Sequence, residues 1–140
     1  MTIARRRASR ILKTDIARDD WLYLAGLFDG EGCIFGYVSR NRYHRLRTTV
    51  CNTNAKVIEW ILSVFGGRIT HANGRNKPQH IWYMDSLNDV KGFLHKILPY
   101  LKVKRLQAET GIRYLDCIEN NGDWNSAYLL YLELRRLKEL

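Results

Sequence analysis

The chain has 140 residues, 46% of them hydrophobic and 11% aromatic, which favours one packed domain and argues against a disordered chain. Lys and Arg number 23 against 14 Asp and Glu, and the resulting charge of +9 favours a polyanionic partner, because phosphates neutralised by a protein release counterions. The three cysteines and four histidines lack metal-ligand spacing, which argues against a zinc ribbon or a disulfide framework. No apolar run approaches the ~18 residues that a membrane span needs.

A basic N-terminal segment, residues 1–18, precedes a single predicted domain over residues 19–140. Its first 13 residues, MTIARRRASRILK, are rich in Arg, have no acidic residue and have no apolar core of the signal-peptide type. A flexible arm that contacts the DNA backbone is favoured over a short organelle-targeting peptide. We expect an intracellular location because the cysteines show no disulfide pattern. The cytoplasm or nucleoid and an organelle, either mitochondrion or chloroplast, stay open.

Helices and hairpins alternate in the predicted order of elements. Apolar periodicity and capping residues predict helices over residues 21–30, 54–65, 88–98, 103–119 and 124–140. Aromatic and β-branched residues predict strands over residues 33–40, 45–51, 68–72 and 79–85. Polar turns over residues 41–44 and 73–78 close two hairpins. This order predicts an α+β fold with an αββαββα core and further C-terminal helices, in which helices back a four-stranded antiparallel sheet.

The end of the first predicted helix carries a distinctive stretch, LAGLFDGEG, over residues 24–32. It resembles the signature of the LAGLIDADG homing endonuclease family, with Glu31 in a position where Asp is more common. The resemblance implies a site-specific double-strand DNA endonuclease with a saddle-shaped, DNA-binding sheet. It also implies that Glu31 and the backbone carbonyl of Gly30 are ligands of a divalent metal, for which Mg²⁺ is the expected ion and Mn²⁺ an expected substitute.

The same stretch predicts how two chains associate. Gly26 and Gly30 are four residues apart, so they place small side chains on one helix face and let two helices pack closely. Because the motif occurs once, the second helix has to come from a second chain, and we expect a two-fold homodimer. Asp29 is expected to fix the helix end rather than to bind metal. The predicted interface comprises Leu24, Ala25, Gly26, Phe28, Asp29 and Gly30.

Two further catalytic candidates lie outside the motif. The stretch PYLKVKRLQAE, residues 99–109, resembles the family segment in which a lysine reaches the active site. By position this lysine is Lys104, which could stabilise developing phosphorane charge or orient the water. Asn54 lies where the family has a polar residue that orders water, although it could equally cap the second helix. The family tends to have a basic residue near position 58, where this chain has Ile58.

Strand alternation predicts the surface that contacts DNA. Inward positions are expected to be Ile34, Gly36, Val38, Leu46, Thr48, Val50, Ile69, His71, His80, Trp82 and Met84. The outward positions and the turns, which include His44, carry the basic and polar residues that major-groove recognition requires. Base contact is expected above all from Arg45, Arg47 and Arg68. The full predicted set is Phe35, Tyr37, Ser39, Arg40, Asn41, Arg42, Arg45, Arg47, Thr49, Cys51, Arg68, Thr70, Arg75, Lys77, Gln79, Ile81 and Tyr83.

Two other functions fit the same scaffold. One is an RNA maturase that binds intron RNA, and the other is a catalytically inactive DNA-binding regulator. The presence of both Glu31 and Lys104 favours the nuclease. As a dimer it would cover about two turns of a near-palindromic DNA site, roughly ten base pairs for each chain.

Overall fold

The computed structural model describes residues 11–73, 77–120 and 122–139. Within them the chain forms five α-helices, which we number α1 to α5: Arg18–Glu31, Ala55–Phe65, Leu87–Ile97, Arg105–Glu119 and Trp124–Lys138. It also forms four strands, β1 to β4: Gly32–Ser39, Tyr43–Asn52, Arg68–Asn73 and Pro78–Met84. The 3₁₀ turn Leu98–Tyr100 follows α3. The predicted α+β class is confirmed, while Arg75 and residues 1–10 of the predicted arm lie outside the described residues.

The four strands form one antiparallel sheet in the order β1-β2-β4-β3. Strand β2 pairs with β1 along the whole of β1, and its last five residues pair with β4 on the other side. The first hairpin turns one residue earlier than predicted, because Arg40 and Asn41 both adopt a left-handed φ of 55°. The predicted turn residues Tyr43 and His44 therefore belong to β2.

The helices cover one face of the sheet, and the predicted alternation of its strands is confirmed there. Ile34, Leu46, Val50 and Trp82 are fully or almost fully buried on that face. Trp82 also donates a hydrogen bond from Nε1 to the carbonyl of Gly66 at 2.6 Å, which joins the sheet to the end of α2. The prediction was wrong for His71, which shares this face but is exposed.

His44 is part of the core rather than of the predicted DNA-binding turn. Its Nδ1 lies 2.8 Å from the Tyr114 hydroxyl on α4, and its Nε2 lies 3.3 Å from the Trp124 carbonyl at the start of α5. Because a carbonyl only accepts, Nε2 carries the hydrogen and the Tyr114 hydroxyl donates to Nδ1. Burial lowers the pKa of His44. This histidine therefore ties the first hairpin to the two C-terminal helices in its neutral form.

The residues just before α1 pack against the protein instead of forming a free arm. The Lys13 backbone N–H donates to the Phe65 carbonyl at 3.1 Å, and the Leu12 N–H donates to Asp89 at 3.3 Å. Leu12 and Ile16 also pack on the hydrophobic core. Residues 12–16 are therefore anchored to α2 and α3. None of the described helices is long and apolar enough to cross a membrane.

Candidate active site and nucleic-acid interface

The C-terminal end of α1 leads directly into β1, because Glu31 is the last helical residue and Gly32 the first strand residue. A Cβ atom at Gly32 would overlap the Phe28 ring, so only glycine lets the chain leave the helix at this angle. Glu31 is exposed at this junction. A carboxylate is thus presented to solvent where the helix ends and the sheet begins.

Asp29 holds the segment before α4 against the end of α1. Its carboxylate accepts hydrogen bonds from the backbone N–H groups of Lys102, Val103 and Lys104 at 2.9, 3.1 and 3.0 Å. These N–H groups belong to the N-cap residue of α4 and the two residues before it, and a carboxylate is favoured near the N-terminus of a helix. The expected role of Asp29 at the helix end is therefore visible, with its partners more than 70 residues away in sequence.

Lys104 is bonded to the motif. Its Nζ donates to the backbone carbonyl of Asp29 at 2.7 Å. The ammonium group is partly buried, and it is held by a residue that lies two positions before Glu31 in the sequence. A positive charge held in this position can favour negative charge that develops on a substrate bound near Glu31.

The polar side chain that contacts Glu31 belongs to Asn52, which the sequence reasoning missed. Its Nδ2 donates to Glu31 Oε2 at 2.6 Å, and its Oδ1 accepts from the backbone N–H of Asn54 at 2.8 Å. The side chain of Asn54 caps α2 by accepting from the Lys56 N–H at 2.9 Å. Asn54 therefore has the expected capping role, and the polar side chain bonded to Glu31 is that of Asn52.

Strand pairing could have pointed to Asn52. Gly32 pairs with Val50, so β1 begins where β2 ends, and the last residues of β2 must lie beside Glu31. The departure from the family at Ile58 also has a structural reason, since Ile58 is fully buried in the core. The exposed basic residue at this end of α2 is Lys56.

The outer face of the sheet carries the predicted DNA-contacting residues. Arg45 and Arg68 are exposed, whereas Arg47 is held between neighbours. Glu31 is followed directly by β1, whose first outward residue is Cys33, so the face borders the Glu31 site. Burial raises the pKa of the neighbouring Cys51 thiol, and Cys33 and Glu31 add to this effect. The exposed members of the predicted set are Arg40, Asn41, Arg42, Arg45, Arg68, Thr70, Lys77 and Gln79, and the half-buried members are Phe35, Tyr37, Ser39, Arg47, Thr49, Cys51, Ile81 and Tyr83.

A model of the LAGLIDADG endonuclease family matches residues 24–121, from the motif to the end of α4. The chain belongs to the LAGLIDADG homing endonuclease family. A comparison with curated proteins found no significant match.

Solved structures with this fold include LAGLIDADG enzymes bound to DNA. The homing endonuclease I-CvuI, solved on the I-CreI target with Mg and also on its own target with Ca, is 26% identical. For the complex on the I-CreI target the TM-score is 0.72, and the aligned region covers 86% of this chain and 82% of that chain. The archaeal intron-encoded I-Vdi141I on DNA is 20% identical, with a TM-score of 0.70 over 85% and 84%. The meganuclease I-AabMI, solved on uncleaved DNA, is 18% identical with a TM-score of 0.62. The aligned region covers 81% of this chain and 42% of that chain.

The LAGLIDADG helix α1 has two faces with different surroundings. Leu24, Ala25 and Phe28 are 0–1% exposed within the protomer's own core, so the prediction that they form a dimer interface was wrong. Gly26 and Gly30 lie on the exposed side, where an added Cβ would meet nothing within 4 Å. The neighbouring Leu22 and Tyr23 are 40% and 59% exposed, which makes this outer side an apolar surface of low relief.

The donor groups at the end of this helix suit a hard cation. Glu31 offers carboxylate oxygens, and the carbonyl of Gly30 lies in the last helical turn, where carbonyls have no partner within the helix. Mg²⁺ usually binds through one or two carboxylates together with substrate phosphates. Among the described residues there is no group of three or more His, Cys, Asp or Glu side chains that could by itself hold a metal ion.

Proposed function

We propose that the chain is a divalent-metal-dependent, site-specific DNA endonuclease that acts as a homodimer. The observation that carries this proposal is the exposed Glu31 carboxylate at the end of α1, with Asn52 bonded to it and Lys104 held on the carbonyl of Asp29 in the same helical turn. This group borders the outer face of the sheet, on which the exposed arginines lie. A catalytic carboxylate next to a basic, extended surface is what cleavage of a bound duplex requires.

Each residue at this site has a separate role in the proposed reaction. Glu31 and the Gly30 carbonyl would hold Mg²⁺, and a bound ion supplies polarisation of the scissile phosphate and activation of water. Asn52 fixes the orientation of the Glu31 carboxylate through its 2.6 Å hydrogen bond. Lys104 provides positive charge for the developing phosphorane. Asp29 keeps Lys104 in place by fixing the backbone of its segment.

The outer side of α1 supports the homodimer. Its exposed surface combines Leu22, Tyr23, Gly26 and Gly30, so a second helix could approach closely without displacing a side chain. The comparison with I-AabMI agrees, since one copy of this chain corresponds to less than half of that longer chain. Two copies would bring two Glu31 carboxylates together, one for each DNA strand.

Cleavage of plasmid DNA tests the enzymatic part of the proposal. The substrate is a supercoiled plasmid that carries the uninterrupted form of the gene in which this reading frame lies. We expect the wild type to linearise the plasmid with Mg²⁺ or Mn²⁺, and Glu31→Gln to bind the plasmid without cutting it. Glu59→Gln is the matched control, because Glu59 is also exposed but lies on α2. Equal cutting by wild type and Glu31→Gln would refute the proposal, and preference for intron RNA without DNA cleavage would favour the maturase.

A substitution at Gly26 tests the dimer separately. Gly26→Arg has room within the protomer, because nothing lies within 4 Å of the added Cβ, and arginine favours a helix more than glycine does. We therefore expect a folded monomer by analytical ultracentrifugation, whereas Asn125→Arg on the exposed surface of α5 should leave the dimer intact. A dimer of unchanged strength for Gly26→Arg would show that the interface lies elsewhere.

A further inference from the structure

We propose that Arg47 recognises a guanine in each half of the DNA site, with its guanidinium oriented in advance by Tyr37, Tyr83 and Asp85. This inference rests on the proposed function and adds a specificity-determining residue and a base to it. It distinguishes Arg47 from the other two arginines expected to contact bases, Arg45 and Arg68.

The strand register brings the three neighbours to Arg47 on the outer face. Arg47 pairs with Phe35 on β1, so Tyr37 lies on the diagonal, and on the other side Tyr83 of β4 pairs with Thr49. The guanidinium carbon lies 4.7 Å from the centre of the Tyr83 ring and 5.4 Å from that of Tyr37. Nη2 donates to Asp85 Oδ2 at 2.9 Å.

This environment fixes the arginine before any ligand arrives. The side chain of Arg47 is 35% exposed and that of Asp85 is 25% exposed, and the Nε atom is buried without a hydrogen-bond partner in the protein. Ordering a long side chain on binding costs affinity. The Arg47 side chain is already ordered in the folded protein, since two rings and a carboxylate hold its guanidinium, so binding would order it little further.

The remaining donors of Arg47 match guanine better than phosphate. Asp85 uses one N–H of the five, which leaves Nη1 and the second hydrogen of Nη2 for two parallel bonds to O6 and N7. The Asp85 charge also offsets the attraction of Arg47 for phosphate. Arg45 and Arg68 are exposed, and this freedom suits contacts to the backbone, which position the protein without specifying sequence.

In vitro selection with the full-length protein tests the inference. The probe is a pool of duplexes randomised over two helical turns, bound in Ca²⁺ and then sequenced. For the wild type we expect guanine to be enriched about 10- to 100-fold at one position in each half-site, the range of a bidentate arginine contact. Arg47→Lys should lose the enrichment at that position and keep it elsewhere, because lysine is a point charge and not a planar fork. Arg113→Lys, on the exposed surface of α4, is the matched control and should keep the whole preference.

A second variant protects the test against a folding defect in Arg47→Lys. Asp85→Asn leaves Arg47 in place but weakens its orientation, so guanine enrichment should fall severalfold at the same position only. The inference is overturned if both variants keep the wild-type preference, or if Arg47→Lys weakens all positions equally and reduces the salt dependence, as loss of a phosphate contact would. If the wild type selects no sequence at all, the proposed function fails first and this inference fails with it.

Discussion

Asp29→Asn should destabilise the protein and leave the Glu31 carboxylate in place. The two Asp29 oxygens accept three backbone hydrogen bonds, and Oδ1 alone accepts those from Val103 and Lys104. Asparagine keeps one oxygen, loses the charge and turns an NH₂ group towards the Lys102 N–H, which is then left without an acceptor. A net hydrogen bond to a charged group is worth roughly 1.5–3 kcal/mol when buried, and two of these three are exposed. We therefore expect a loss of about 2 kcal/mol in the free energy of unfolding, or roughly 7 °C in Tm for a 140-residue chain.

Thermal unfolding followed by circular dichroism measures this loss. All variants are compared at one protein concentration, since the Tm of a dimer depends on concentration. Asp15→Asn is the control, because Asp15 is exposed, and Glu31→Gln should also keep the wild-type Tm, since the glutamine oxygen can still accept from Asn52. If Asp29→Asn melts within about 1–2 °C of Asp15→Asn, the three bonds contribute little and the assigned role of Asp29 is wrong.

Three further substitutions test other features of the fold. Asn54→Ala removes the cap of α2, so urea unfolding should show a loss of about 1 kcal/mol, and an unchanged midpoint would contradict the capping role. Gly67→Ala places a Cβ 2.6 Å from Trp82 Nε1 at a φ of +95° and should cost roughly 2–4 kcal/mol, whereas a stabilised protein would contradict this. For His44, burial lowers the pKa of the folded state below 6.5, so below that pH the unfolded chain binds the extra proton first. The stability advantage of wild type over His44→Gln should shrink as pH falls below 6.5, and a constant difference would contradict it.

The sequence predicted those parts of the structure that depend on local periodicity. Ile34, Val50 and Trp82 follow strict alternation and are buried as expected, because a strand with one solvated face has to place every second residue in the core. The two faces of α1 were also present in the sequence. A core-facing stripe is visible in the spacing of Trp21, Leu24, Ala25 and Phe28, whereas the motif taken as a whole does not separate this stripe from the outer face.

Contacts between distant segments could not be predicted in the same way. Asp29 binds backbone groups more than 70 residues away, and no local pattern indicates which segment will reach it. The contact of Asn52 with Glu31 depends on where β2 ends relative to β1. That register follows from a turn with Arg40 in a left-handed conformation. Arginine rarely adopts this conformation, so no residue pattern indicates that the turn begins there.

The direct passage from α1 into β1 has a consequence for where the proposed enzyme cuts. Glu31 and the first outward-facing residues of β1 follow one another without a loop, and Gly32 packs against Phe28. In the proposed enzyme the backbone would therefore set the spacing between the cleaved phosphate and the recognised bases. Changes to side chains on the sheet could alter which sequence is bound, but the offset from that sequence to the break would stay the same.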